Sequence, residues 1–515
     1  NGSPTVTTGG LFNGQFTDWV NSNSSTVASR SLVIGNYFSA PDSDGYYLIN
    51  TYIDLSSTTG GNPSGQSDLS NLLGFVQSTS SGAANTYKFK LGQDLNMSTS
   101  SIPYLPYLSS AEFKGNTFAV NNFSWNRSTA NVGFIGAARG TYINGITVNT
   151  VQYGGQSSTA NVVRGSDYVG VLAGSVFEGK VYDSHAVLAG AVTGSSYVGG
   201  LIGDFERGPI GTVSATRANG VNPITAKVVG SGLNVGGLVG FLDLVSLKDA
   251  SANLTVLGST PNSSSYVGGI AGRASTGNYS EAYVTAGALV NITSTAESVS
   301  GGYQYVGGLF GYASSGTGSA NWRSSANIEG GQFYVGGVAG YLTGGSYSGV
   351  HSTGITVRQL SGNAVGGLVG WANNVSITDA SSSSDVYGGS SWAGGLVGYF
   401  NTGTLSNAHA TGNLRAPSGW LGGLIGNASS VTISNVYTTG SVTGTTAGGS
   451  NYVGGLIGQA TSTPVDNAYA TGAVSGTGYV GGLIGRTNRD VQNTRASGTV
   501  TATGNYIGGL IGRFD

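Results

Sequence analysis

The chain has 515 residues, of which only 8% are charged, and 20 basic and 22 acidic side chains leave a net charge of −2. It holds 91 Gly, 10 Pro and no Cys. These values exclude disulfides and thiolate metal sites, a collagen-like or disordered chain, and a broad field that would draw in nucleic acid or anionic lipid.

Scarce Glu, Lys, Arg, Gln and Met argue against a helical protein. Abundant Gly, Ser, Thr, Asn, Val and Tyr suit short strands broken by turns. No run approaches 18 apolar residues, so no membrane span is expected. The start, Asn1-Gly2-Ser3-Pro4, carries neither an initiator Met nor a signal peptide and reads as a processed terminus. A chain that avoids Cys fits secretion through a bacterial envelope, though cytosolic proteins can also lack it.

In chain order, Asp42-Ser-Asp-Gly45 carries the first letters of a calcium loop. The ligands that should follow are Tyr46, Tyr47, Leu48 and Ile49, so a polar turn is the favoured reading. Leu69, Leu72, Leu73 and Val76 have helical spacing after Ser67, which predicts a helix over 68–76. Residues 87–95 begin by alternating as a strand does. Residues 1–130 are expected to form a terminal cap and irregular first coils, because a solenoid exposes its end strands.

From residue 131 to the end the chain repeats itself. Tyr-Val-Gly-Gly-Leu-Ile-Gly at 452–458 returns at 479–485 and, with Ile507 for Val, at 506–512. Variants begin at Tyr168, Tyr197, Asn234, Tyr266, Tyr305, Tyr334, Ala364, Trp392 and Trp420, and a worn copy begins at Asn131. The copies lie 27 to 39 residues apart, a period that marks solenoids or arrays. A second pattern, Asn-x-x-x-Thr/Ser-Gly, begins at Asn407, Asn435, Asn467 and Asn493. One period therefore holds about three short strands.

Intervals near 28 residues are too short for a propeller blade, and leucine-rich columns are absent. The prediction is an all-β fold, a parallel β-helix of about 13 coils over residues 131–515. Val and either Leu or Ile of the motif are expected to point inward. Thirteen coils would make a rod of roughly 60 Å. The longest intervals, 137–167, 204–233 and 273–304, are expected to be loops that bulge from a constant coil and carry recognition.

These residues resemble a known family. Gly-Gly-Leu-Ile-Gly and Gly-Gly-Leu-Val-Gly are similar to the GLUG motif of bacterial filamentous-haemagglutinin-like adhesins and of some large surface peptidases. The upstream segments at 45–50, 68–72, 87–91, 94–95 and 113–115 resemble the region that precedes GLUG arrays. The resemblance covers about residues 45–515 and implies a secreted or surface-attached β-helical protein whose role is adhesion. The zinc motif of the peptidase relatives, His-Glu-x-x-His, finds no match in His185, His351 and His409.

Other candidate chemistry is weighed residue by residue. Asp183-Ser-His185 has the letters of a triad, but alternate residues on one strand share a face without forming a relay. Thr411, Thr439, Thr471 and Ser497 suggest a structural hydroxyl ladder or a turn hydrogen bond. The mixed neighbouring column, Asn413, Ser441, Ala473 and Thr499, argues against an ice-binding plane. The Asn407, Asn435, Asn467 and Asn493 column reads as a turn-stabilising stack. The aromatic first position of the motif, from Tyr168 to Tyr506, reads as a packing stack in preference to a sugar-binding strip.

No catalytic residue, metal ligand or cofactor is expected. The expected role is a non-enzymatic adhesin at the cell surface or outside it. Its partner would be a glycan or protein receptor on a host or neighbouring cell surface, with no nucleic acid and no membrane span. The alternatives are a subunit stacked end to end in an extracellular filament and a polysaccharide-active β-helix enzyme.

Overall fold

A computed structural model describes residues 41–49, 87–97, 105–126, 128–150, 161–222, 225–258, 265–275, 278–284, 289–292, 304–314, 317–353, 356–389, 391–445 and 451–515. The described strands form a parallel β-solenoid of about 12 turns, as the repeat predicts. No helix occurs among the described residues, and the helix expected at 68–76 lies outside them. The chain divides into two compact units, residues 1–230 with 238–245 and residues 231–237 with 246–515.

In the first unit parallel pairing is already present upstream of the motif array. Tyr47–Ile49 lies beside Tyr87–Leu91, which lies beside Ala111–Lys114, Tyr142–Asn144 and Lys180–Tyr182 in turn. The strand expected from residue 87 is therefore present. Phe89, Phe113, Ile143, Val181 and Ile210 fall at matching register positions, and all are buried. Strands stacked in register put like beside like, so each inward column stays apolar from coil to coil.

The second unit repeats this arrangement with less variation. Residues 397–422 supply three strands, Val397–Ala410, Leu414–Ala416 and Trp420–Gly422. Each pairs with its equivalent one coil on: Ile425–Thr438, Val442–Gly444 and Tyr452–Gly454. Val453, Leu456 and Ile457 are fully buried, as are Leu421, Leu424 and Ile425 one coil earlier.

The motif glycines serve close approach. A Cβ on Gly454 would lie 2.0 Å from the Ile457 carbonyl oxygen, and one on Gly455 would lie 2.2 Å from the Gly482 oxygen. One on Gly458 would lie 2.6 Å from the Gly426 oxygen. The turn glycine of the second pattern is equally constrained. A Cβ on Gly440 would meet the Gly412 oxygen at 1.9 Å, and one on Gly472 would meet the Gly440 oxygen at 1.9 Å. No rotamer change relieves such clashes, because the opposing atoms are backbone.

The long strands turn corners at residues in the left-handed region. Asn407, Asn435, Asn467 and Asn493 have φ of 53, 55, 48 and 50°. Asn tolerates this conformation better than other side chains. The column is also tied by side chains, with Asn435 Nδ2 donating to Asn407 Oδ1 at 3.2 Å and Asn467 Nδ2 donating to Asn435 Oδ1 at 2.8 Å. The turn-stabilising reading of this column is thereby borne out. A second corner, at Asn374, Thr402, Ser430 and Ser462, has φ of 53, 57, 57 and 50°. Its mixed residue types gave no pattern to read.

In the first unit Leu244 takes φ of 54° with 47% of its surface exposed, so only part of its side chain is packed against that strain. Leu244→Asn is expected to raise the stability of that unit by about 1 kcal/mol, read from the denaturation midpoint. An unchanged or lowered midpoint would contradict the strain argument.

The three long intervals are corrected by the structure. They are not loops over their whole length. Within 204–233, Ile202–Arg217 is a 16-residue strand that pairs with Ala173–Phe177, Lys180–Tyr182 and His185–Leu188, and Lys227–Gly230 pairs with Ala191–Gly194. The described surplus is confined to 218–222 and 225–226. Within 137–167, Ile135–Arg139, Tyr142–Asn144, Thr147–Thr150 and Asn161–Arg164 are coil strands, and 151–160 lie outside the described residues. Within 273–304, Ala271–Ser275, Asn278–Val284 and Leu289–Ile292 are strands, and 293–303 lie outside the described residues. Register with the neighbouring coil holds the described strands of each interval in the wall.

Candidate functional site

The outward positions of the coils are where chemistry could be displayed, and the structure sorts them into columns. The first is the aromatic start of the motif. In the first unit Tyr168 and Tyr197 stack with ring centroids 4.7 Å apart and planes 14° apart. In the second unit Tyr266 stacks on Tyr305 at 4.9 Å, Trp392 on Trp420 at 5.7 Å, Tyr452 on Tyr479 at 4.8 Å and Tyr479 on Tyr506 at 4.6 Å. Neighbouring rings cover one another's faces. A sugar platform needs those faces free, so the packing reading holds for this column.

A second aromatic column was missed by sequence reasoning. Tyr312, Tyr341, Trp371 and Tyr399 stand in register one coil apart. Each directly follows the last glycine of a motif copy, which is the signal that could have found it. The two columns interlock. Where the first column has only Ala364, Trp371 of the second packs edge-on against Tyr334 at 4.7 Å. The indole N–H groups of Trp371, Trp392 and Trp420 are buried without an acceptor. Farther along, the second column becomes arginine. Arg486 lies over Tyr452 at 5.7 Å, and Arg513 lies over Tyr479 and Tyr506 at 5.6 and 5.4 Å.

The histidines are each engaged by a neighbouring coil. His185 Nδ1 is 2.9 Å from Ser214 Oγ, His351 Nδ1 is 2.8 Å from Ser381 Oγ, and His409 stacks on Tyr437 at 4.7 Å. Burial lowers the pKa of all three. The triad letters form no relay. Ser184 Oγ donates to the Tyr182 carbonyl and accepts from Ile146 N–H, and Asp183 accepts from Asn144 Nδ2.

The Asp42-Ser-Asp-Gly45 segment is the expected turn. Asp42 Oδ1 accepts from Asp44 N–H at 3.0 Å and from Tyr46 N–H at 2.9 Å, and its other oxygen pairs with Lys90. Thr411, Thr439, Thr471 and Ser497 stand exposed at the turn that precedes the constrained glycine. Thr471 N–H donates to the Thr438 carbonyl, and Ser497 N–H donates to the Ala470 carbonyl. This column closes the turn between coils through its backbone. Among the described residues no three His, Asp or Glu converge on one metal position, and no helix is long and apolar enough to cross a membrane.

One carboxylate in the first unit is out of place. Asp204 is buried, and its Oδ1 has no hydrogen-bond partner. Burial, with Glu206 and Asp243 nearby, pushes its pKa well above the usual carboxylate range. The folded state therefore holds this proton more tightly than the unfolded state. Stability is gained as pH falls through the raised folded value towards the unfolded value near 4, and is lost on the way back up. Asp204→Asn is expected to raise the denaturation midpoint at neutral pH and to flatten that pH dependence. An equal midpoint for the two proteins at neutral pH would contradict the assignment.

A family model bears out the motif reading. Residues 449–475 match the family model described as the GLUG motif, so the chain carries that motif. No curated protein sequence matches the chain. A solved structure described as a "putative immunoglobulin A1 protease from Bacteroides ovatus" is 15% identical, with a TM-score of 0.28. The match covers 74% of this chain and 80% of that one.

Proposed function

We propose that the chain is a secreted or cell-surface, adhesin-like β-solenoid that is non-enzymatic. It attaches to a host or neighbouring cell surface through a glycan or protein receptor. The observation that supports this reading is the register itself. Each outward position recurs at the same place in the next coil, as in the column Trp371, Tyr399, Asn427 and Gln459. Such a wall presents side chains as an array, and weak contacts to a repetitive surface then sum by avidity. The described histidines support the non-enzymatic part, since each is held by a Ser or Tyr of the adjacent coil.

The test is attachment of beads coated with the purified chain to cell monolayers. Attachment well above beads coated with an inert protein, and competed by the soluble chain, is expected. Attachment equal to that control would refute the adhesin reading. Cleavage of a protein or polysaccharide panel, abolished by a single carboxylate substitution, would refute the non-enzymatic part.

A further inference from the structure

Most polar and aromatic side chains on this wall are used by their neighbours, and one column of the second unit is not. Arg358, Tyr387 and Arg415 stand in register on three successive coils. All three are exposed, Tyr387 by 43%. Among the described residues neither guanidinium has an ion-pair or hydrogen-bond partner, and Tyr387 has no ring stacked on it. This contrasts with the motif tyrosines, whose faces are covered, and with Arg486 and Arg513, which are tied to Asp515.

We propose that Arg358, Tyr387 and Arg415 form a docking strip for a linear polysaccharide that bears a carboxylate on alternate sugars. The proposal rests on the attachment reading and names the partner chemistry for it. Two coil spacings separate the arginines, about 10 Å at the Cα atoms, and two pyranose rings of an extended chain span a similar length. Guanidinium takes a carboxylate through two parallel hydrogen bonds and is weakly hydrated, so it gives up water readily. The uncovered Tyr387 ring lies between them and offers a flat apolar surface to the C–H face of the intervening sugar. Leu360, two residues beyond Arg358, is 51% exposed and adds a further apolar side chain to the surface of that coil.

The charges nearby restrict the partner. Glu329 precedes Arg358 in the column. Asp385 lies two residues before Tyr387, and its Oδ1 accepts from Asn413 N–H and Nδ2. These acids disfavour a densely charged strand such as a nucleic acid, as does the net charge of −2. A chain with one carboxylate per two sugars meets the arginines and spares the acids.

The experiment is affinity electrophoresis of the full chain in gels containing hyaluronan, in which a uronic acid alternates with a neutral sugar. Retardation by hyaluronan is expected, with loss in gels containing its carboxyl-reduced form. Arg358→Gln/Arg415→Gln is expected to weaken binding at least tenfold, and Tyr387→Ala several-fold, with unchanged denaturation midpoints because all three side chains are exposed. The proposal is overturned by no retardation, by equal retardation with the carboxyl-reduced polymer or a DNA duplex, or by an unaffected double variant. The bead assay separates the two claims. Coated beads that attach to cells while the chain ignores hyaluronan sink this strip alone, whereas beads that do not attach sink the attachment reading.

Discussion

Gly422→Ala is expected to destabilise the second unit by about 3 kcal/mol, at the upper end of what overpacking costs. A Cβ at this position would lie 1.9 Å from the Ile425 carbonyl oxygen of its own coil and 2.7 Å from Gly458 N of the next. Both are backbone atoms, and both belong to strands paired with the coil before and the coil after. Relief requires the coil to open, which breaks the inter-strand hydrogen bonds beside it. The loss is read from the denaturation midpoint and from faster amide exchange at 420–425. Gly509 is the internal control, because its added Cβ would meet no atom within 4 Å. A Gly422→Ala protein as stable as a Gly509→Ala protein would show that the motif glycines serve something other than close approach.

Trp322→Ala is expected to cost about 3–5 kcal/mol, the range for removing a fully buried aromatic side chain. Trp322 is the largest fully buried side chain described. Its ring lies 4.8 Å from Phe310 and 5.1 Å from Tyr347, so three aromatic groups on adjoining coils depend on one another. The cavity has no neighbour free to fill it, since coil spacing is fixed by strand pairing. Contacts in a solenoid run only between neighbouring coils, so the damage should concentrate near residues 310–350. Amide exchange should rise there and stay unchanged near 480. A loss below about 1 kcal/mol, smaller than the cavity range allows, would mean that this cluster does not hold the coil.

The sequence revealed a great deal of the fold because the fold is periodic. Thirteen copies of one motif announce stacked coils, and Val453, Leu456 and Ile457 point inward as their apolar character demands. The Asn407 column was legible because one residue type recurs at a position that strains most others. The Thr402 corner was hidden, since Asn374, Thr402, Ser430 and Ser462 share only a backbone shape. The second aromatic column escaped for a different reason. Its members drift from Tyr312 to Trp371 to Asn427 to Arg486, so residue type marks no column, although each follows the last glycine of a motif copy. Interval length misled at 204–233, where pairing places Ile202–Arg217 and Lys227–Gly230 in the wall. The Arg358, Tyr387 and Arg415 strip could not be read from sequence at all. Its residues differ in kind and become neighbours only through strand pairing.

The claim on which everything else depends is that successive coils stack parallel and in register. The chain contains no Cys, so paired cysteines report on this without interference. Thr404 and Thr432 are exposed register partners one coil apart. Their Cα atoms should lie about 4.8 Å apart, inside the range a disulfide spans. Thr404→Cys/Thr432→Cys is expected to oxidise quantitatively with the denaturation midpoint kept or raised. Thr404→Cys/Ser434→Cys is offset by two residues, about 8 Å apart on the diagonal, and should stay reduced under the same conditions. Oxidation of the offset pair in preference to the register pair would contradict the account.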